Sequence, residues 1–400
     1  MLVNSARLVA KMDEEGLDAI VATTLPNVHY FAGFWSLALS GFPYEGQCYA
    51  IVTRDEPALP YVVSSSVELD QTQDGFPVKG TVNFGRFYRE NPVAGIELTA
   101  DEKQLKIISM DSEPVAGPLE GLGAALEKMG LTDKKVGIDE IGFKRGFFEA
   151  LGEQFPKAEF SQASALLRWV RKVKTLEEIR RLREAAKITE RAMLAATGIA
   201  REGITEYELA REFERSIVGQ GARPQFTLIR IGRNAVAGQR EPGRTPLHKG
   251  DTIWFDTGAL YKGYWSDIAR IFSLGEPGQR AQKIYTAMLK GEEEGIARTR
   301  VGMTGGELFD ITMKASRNGG HPEYRRHHVG HGIGSEVYEA PLLAPGNQDV
   351  IEEGSVVNIE TPYYEFGLGA LHVEDPYVVK ADGHHELLTT LGRELHVLPE

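Results

Sequence analysis

Apolar positions along the chain change period between residues 165 and 178, and that change divides it. Before it, short helical and strand patterns alternate. Leu8, Val9 and Met12 sit at helical spacing within residues 5–16, and Gly16 marks a stop. Residues 18–22 (DAIVA) read as a buried strand, 47–53 and 59–64 as further strands, and 136–139 with the helix after it as the close of an α/β unit. Residues 65–115 carry only weak strand patterning. A long charged helix then starts at Thr175, which forms a capping-box signature with Glu178. Ile179, Leu182, Ala186, Ile188 and Met193 run along one side of it. These patterns predict a smaller α/β domain over 1–165, a linker over 166–178 and a second domain over 179–400.

The second domain holds a faint repeat. Arg201, Gly203, Thr205, Glu208 and Leu209 recur as Arg300, Gly302, Thr304, Glu307 and Leu308, at a constant offset of 99. Each copy follows a helical pattern and opens another helix with Thr as its cap. Two such halves predict a pseudo-symmetric α/β domain with a site between them.

Two hairpin patterns bring acidic residues together. Residues 253–255 and 267–272 read as strands joined by a turn at 260–263, so Asp256 and Asp267 lie symmetrically about the tip. In a regular register they face one another with Cβ atoms roughly 5 Å apart, where two carboxylates repel unless a cation or proton lies between them. A second hairpin, with strands at 355–359 and 371–373, sets Glu360 and Glu374 symmetrically about Gly367. The segment HHVGHGIG offers nitrogen: glycines on both sides of His331 let the backbone bend and another group approach. Alone, such a histidine reads as structural. With four carboxylates it fits a site for two divalent ions, whose oxygen-rich ligation suits Mn²⁺, Co²⁺, Fe²⁺ or Zn²⁺.

Composition narrows the class. The net charge of −12 disfavours nucleic acid and anionic membranes as partners. A single cysteine, Cys48 in the apolar run CYAIV, forbids an internal disulfide and reads as a buried structural thiol. The first residues meet charge too often for a signal-peptide core, and no uninterrupted 18-residue apolar span occurs, so the expected compartment is the cytoplasm.

The motifs GLDAIVATTLPNVHYFAGF, VRKVKTLEEIRRLREAAKI, REGITEYELA, FDTG, WSDIAR, GHGIG, EEGSVVNIETPYY and HVEDP, in this order through most of the chain, resemble the creatinase/prolidase/methionine-aminopeptidase family. The likeness is greatest to Xaa-Pro peptidases with an added N-terminal domain. It implies an α/β (α+β) fold: a pita-bread catalytic domain with pseudo-two-fold halves, preceded by a smaller creatinase-like domain, in a homodimer. It implies Asp256 and Asp267 on one metal ion, His331 and Glu360 on the other, and Asp267 and Glu374 bridging them. The implied reaction is hydrolysis of the Xaa-Pro bond of a dipeptide by a hydroxide shared between two ions, Mn²⁺ foremost. Glu360 would carry the proton, His327 would bind substrate, and Asp256 would receive its free amino terminus.

Three positions depart from the family pattern. Gln239 and Tyr338 stand where histidines are expected, and His372 where an arginine normally supports the bridging glutamate. The departures leave open a hydrolase or lyase for a non-peptide small molecule, or a binding protein without turnover; an aminopeptidase on longer peptides also stays open, because nothing in the sequence locates a cap for the substrate carboxylate. The metal-free creatinase branch is disfavoured, because it replaces the ligands that are intact here.

Overall fold

The computed structural model describes residues 2–73, 75–111 and 113–400. The chain forms two compact units that divide between Arg171 and Lys172. The segment expected as a linker, 166–178, is helical up to Lys172, and the next helix begins at Leu176. Among the described residues no helix is long and apolar enough to cross a membrane.

The first unit is built on β1 (Ala19–Ala22), β2 (Tyr49–Thr53), β3 (Tyr61–Ser65), β4 (Gly80–Phe84), β5 (Lys135–Ile138) and β6 (Glu159–Gln162). They form one mixed sheet in the order β4-β3-β2-β1-β5-β6. Its helices are α1 (Ser5–Glu15), α2 (Leu25–Ala32), α3 (Leu37–Gly41), α4 (Ala100–Ser109), α5 (Pro118–Lys128), α6 (Phe147–Gln154) and α7 (Ser164–Lys172). Helix α1 ends where expected, with Gly16 at φ 67°. Within 65–115, where only weak strands were expected, β4 is a strand but α4 is a helix: Thr99 and Glu102 form a complete capping box there, a local signal that outweighs the poor apolar period. Ile51, Val63, Val136 and Ile138 of the sheet pack with Leu122 and Leu126 of α5. Cys48 is buried, and burial pushes its thiol pKa far up, as befits a structural cysteine.

The second unit contains helices α8 (Leu176–Gly198), α9 (Glu206–Gly219), α10 (Gln279–Arg298) and α11 (Gly305–Asn318). Its strands are β7 (Arg223–Ile231), β8 (Thr252–Tyr261), β9 (Tyr264–Trp265), β10 (Ile268–Leu274), β11 (Gly330–Gly332), β12 (Glu339–Leu342), β13 (Val356–Glu360), β14 (Tyr363–Glu365), β15 (Gly369–Leu371), β16 (Glu374–Val378), β17 (Glu386–Leu387) and β18 (His396–Leu398). The main sheet runs β12-β11-β13-β16-β10-β8-β7. From β11 to β7 this order reads as two three-strand halves meeting at the β16/β10 seam, each preceded by its helix pair.

The offset of 99 has a structural basis. Thr205 and Thr304 each close a capping box, with Glu208 and Glu307. Gly203 and Gly302 have φ of 85° and 92°. Their N–H groups donate to Leu247 and Ile351 carbonyls at 2.7 and 2.9 Å. Thr205 bridges Pro246 just as Thr304 bridges Val350. The helices cover one face of the sheet: Phe255 of β8 meets Phe213 of α9, and Ile359 of β13 approaches Gly295 of α10. Helices α10 and α11 cross so closely that a Cβ at Gly291 would lie 1.9 Å from Ser316 Oγ. That approach accounts for a glycine inside a helix, where it costs about 1 kcal/mol of propensity.

Candidate metal centre

Alternation along β8 and β13 turns Phe255 and Ile359 toward the helices, so their neighbours Asp256 and Glu360 face the other way. Pairing aligns them. Leu228, Asp256, Ala269, Glu374 and Glu360 form one row across β7, β8, β10, β16 and β13. Glu360 pairs directly with Glu374, as the symmetry about Gly367 predicts.

The first hairpin differs from its expected register. Asp256 pairs with Ala269, and Asp267 does not stand opposite it. The turn lies at Lys262–Gly263, both at positive φ (48° and 82°), the conformation of a two-residue type I′ turn. Moving the tip by one residue shifts every partner by two. An even shift preserves the face, so Asp267 remains beside Asp256, on a diagonal.

His331 reaches this face through β11, where it pairs with Asn358, two residues before Glu360. Close approach explains its glycine flanks: a Cβ at Gly330 would lie 2.0 Å from the Asn358 carbonyl oxygen, and one at Gly332 2.3 Å from that of Ala340. His331 Nδ1 lies 2.9 Å from the Gly332 carbonyl, which fixes it as the donor and leaves Nε2 free to bind a cation. Nε2 is 3.6 Å from Asp267 Oδ2 and 3.9 Å from Glu374 Oε1. On the other side, His372 Nε2 is 3.5 Å from Glu374 Oε2 and 3.4 Å from Glu360 Oε2, and its Nδ1 is 3.8 Å from Asp256 Oδ2.

Two three-residue sets have donor atoms close enough to hold an ion: Asp256, His372 and Glu374, and Asp267, His331 and Glu374. Asp267 Oδ1, His331 Nε2 and both ring nitrogens of His372 are buried without a hydrogen-bond partner among the described residues. Orphaned polar atoms cost about 1–3 kcal/mol each, and converging ones fit a bound cation.

The charges point the same way. Burial raises Asp256 and Glu374 well above the usual carboxylate range, and neighbouring carboxylates add to it. Asp267 is also raised by burial, which the adjacent His331 partly offsets. Burial would raise Glu360 too, but the imidazoles of His328 and His372 reverse this and hold it below the usual range. A divalent ion would remove the repulsion among these carboxylates.

The remaining expected residues are dispersed. His327 is exposed, whereas its neighbour His328 places Nδ1 3.0 Å from Glu360 Oε1. Tyr338 is half exposed and stacks on the His331 ring at 3.7 Å. Gln239 is exposed in the turn after Gly238, which lies against Tyr364 and Trp254. Sequence reasoning missed Asn358, whose Nδ2 donates to Glu374 Oε1 at 2.6 Å and to the Asp267 carbonyl at 3.1 Å. Its position two residues before Glu360 in a strand was the available signal. Arg326, over the Tyr364 ring at 5.7 Å, is a cation that Asp256 senses; no periodicity marked it.

The family model for metallopeptidase family M24 matches residues 180–381, the span that carries every one of these side chains. The chain belongs to metallopeptidase family M24. A creatinase/prolidase N-terminal domain model matches residues 5–173. The chain is 28% identical over 391 residues to a Xaa-Pro dipeptidase of Pyrococcus horikoshii, covering 97% of each chain. It is 32% identical over 266 residues to one of Lactobacillus delbrueckii subsp. lactis, covering 66% of this chain and 72% of the relative. The solved Xaa-Pro dipeptidase of Bacillus anthracis superposes with a TM-score of 0.78 at 26% identity, covering 98% and 99% of the two chains. The fold is therefore the expected one, a creatinase-type α/β domain followed by a pita-bread catalytic domain, and this family member is a peptidase that works with divalent metal ions.

Proposed function

We propose that this M24 peptidase hydrolyses dipeptides with proline in the second position, using two divalent ions. The observation that carries the reading is the pair of donor sets sharing Glu374, in a chain matched end to end by Xaa-Pro dipeptidases. Asp256 and Asp267 would hold one ion, His331 and Glu360 the other, with Asp267 and Glu374 common to both. When bound, such ions act as Lewis acids and lower the pKa of water from 15.7 toward about 7.

The chain's own groups do the rest. Glu360, kept ionised beside His328 and His372, accepts the water proton and delivers it to the leaving proline nitrogen. Asp256 receives the substrate amino terminus, which confines cleavage to the first residue. His327, Tyr338 and Gln239 would steady the bound peptide. A tertiary Xaa-Pro amide lacks the N–H that most peptidases use, so a dedicated enzyme is chemically reasonable. Oxygen-rich ligation supports Mn²⁺ as the working metal. A lone buried cysteine accords with the cytoplasm. The homodimer rests on family resemblance, and light scattering would test it.

The deciding experiment compares Ala-Pro with Ala-Ala after chelation, with and without added Mn²⁺. Mn²⁺-dependent cleavage selective for Ala-Pro is expected. Metal uptake with neither dipeptide cleaved would overturn the assignment.

A further inference from the structure

We infer that His372 is itself a metal ligand, giving the ion on the Asp256 side an imidazole donor to match His331 on the other. The inference rests on the two-ion reading above and adds a sixth protein ligand to it. Its first support is spacing. Donors bound at about 2.0–2.2 Å to one ion lie roughly 3–4.2 Å apart. His372 Nε2 lies 3.5 Å from Glu374 Oε2, inside that window, and one donor atom from each of His372, Glu374 and Asp256 lies within 4.8 Å of the other two; the His331 Nε2 contacts are 3.6 and 3.9 Å. The two oxygens of Glu374 are divided between the imidazoles, Oε1 toward His331 and Oε2 toward His372.

The second support is the want of any other use for the ring. His372 is 1% exposed, and neither nitrogen has a hydrogen-bond partner among the described residues. The ring lies against Trp254 at 6.2 Å and an interplanar angle of 20°, which holds its edge toward the carboxylates.

The third is the duplicated architecture. His331 enters from β11 opposite Asn358, two residues before Glu360. The equivalent place in the first half, opposite Trp254 and two residues before Asp256, is Arg230 of β7. Arg230 is committed elsewhere, to Glu206 at 3.1 Å and to the Glu241 carbonyl at 2.7 Å. The first half therefore brings no nitrogen from its outer strand. His372, in the break between β15 and β16, supplies one from across the seam.

A second imidazole also changes metal preference. Nitrogen donors favour Co²⁺ and Zn²⁺ over Mn²⁺, so losing one should narrow the Co²⁺-over-Mn²⁺ affinity ratio.

The test uses full-length protein, stripped with chelator and reloaded with Co²⁺. Proton NMR counts the exchangeable, hyperfine-shifted imidazole N–H signals, one for each ligating histidine. Two are expected in the wild type and one in His372→Gln. In a Co²⁺ titration followed by calorimetry, the variant should bind one equivalent with little change and the other at least about 100-fold more weakly, beyond the usual effect of losing an outer-sphere partner. One shifted N–H in a wild type holding two Co²⁺, or a variant with unchanged spectrum and affinities, would overturn the assignment and leave the two-ion reading standing. A wild type that takes up no Co²⁺ would overturn both. Should His372→Gln fail to fold, the wild-type signal count decides alone.

Discussion

Glu178 has both carboxylate oxygens occupied. Oε2 accepts the Thr175 N–H at 2.8 Å, and Oε1 accepts the Tyr264 hydroxyl at 3.0 Å. Burial nevertheless outweighs these bonds and the nearby Lys174, and raises its carboxyl to about 7. A folded-state value above the unfolded one gives stability that is full below the unfolded pKa and is lost as pH rises through the folded value. Glu178→Gln keeps both contacts, with its oxygen accepting from Thr175 and its amide donating to Tyr264. Between about pH 5 and pH 8 the variant should lose up to about 3 kcal/mol less stability than the wild type. Melting temperatures across that range would check this, and parallel curves would refute it. Glu360 is the opposite case, held low by its imidazole neighbours. Glu360→Gln removes the proposed proton acceptor and should cut turnover at least about 10²-fold in a folded protein; near-normal turnover would end that role. At this scale the pairing of Glu360 with Glu374 was legible from hairpin symmetry and the close approach at His331 from its flanking glycines, whereas the same symmetry set Asp267 opposite Asp256 and the turn moved it to a diagonal. The choice of His328 over His327 against Glu360 was not legible, since it depends on the backbone direction entering β11.

At the scale of elements, the capping boxes of α8, α9 and α11 were legible, each signalled by Thr and a Glu three residues later. The same Thr and Glu spacing stands at Thr99 and Glu102 and caps α4, in a stretch whose weak apolar patterning gives only strands. The β16/β10 seam could not be read, because it joins strands about a hundred residues apart in sequence and its only ladder pair is Ala269 with Glu374. Arg270 reinforces it from the face opposite the site. It donates to the Ala269, Glu374, Leu391 and Gly392 carbonyls and, at 2.6 Å, to Asp375 Oδ1. Both charged side chains are fully buried, so removing the fork geometry should be costly. Arg270→Lys is expected to destabilise the second unit by about 3–5 kcal/mol. A change below about 1 kcal/mol in urea unfolding would show that the strand pairing alone holds the seam.

For the molecule as a whole, the division into two units predicts that metal acts on only one of them. Every candidate ligand lies in Lys172–Glu400. Ligands that bind only the folded state stabilise it by mass action, about 2.7 kcal/mol at a hundredfold excess over Kd. Chelation should therefore lower one calorimetric transition and leave a second unmoved. A uniform shift of the whole melting profile would mean that the units unfold together.

The crowding of Asp256, Asp267 and Glu374 on one sheet face also makes metal loading an exchange of cations. Burial and mutual repulsion raise these carboxyls above the usual range, so protons should compete there with an arriving ion. Each ion that enters must displace them. Loading should acidify a weakly buffered solution, and apparent affinity should climb with pH while those protons still compete. An indicator-dye titration would count the protons per ion directly, giving the site a stoichiometry in hydrogen as well as in metal.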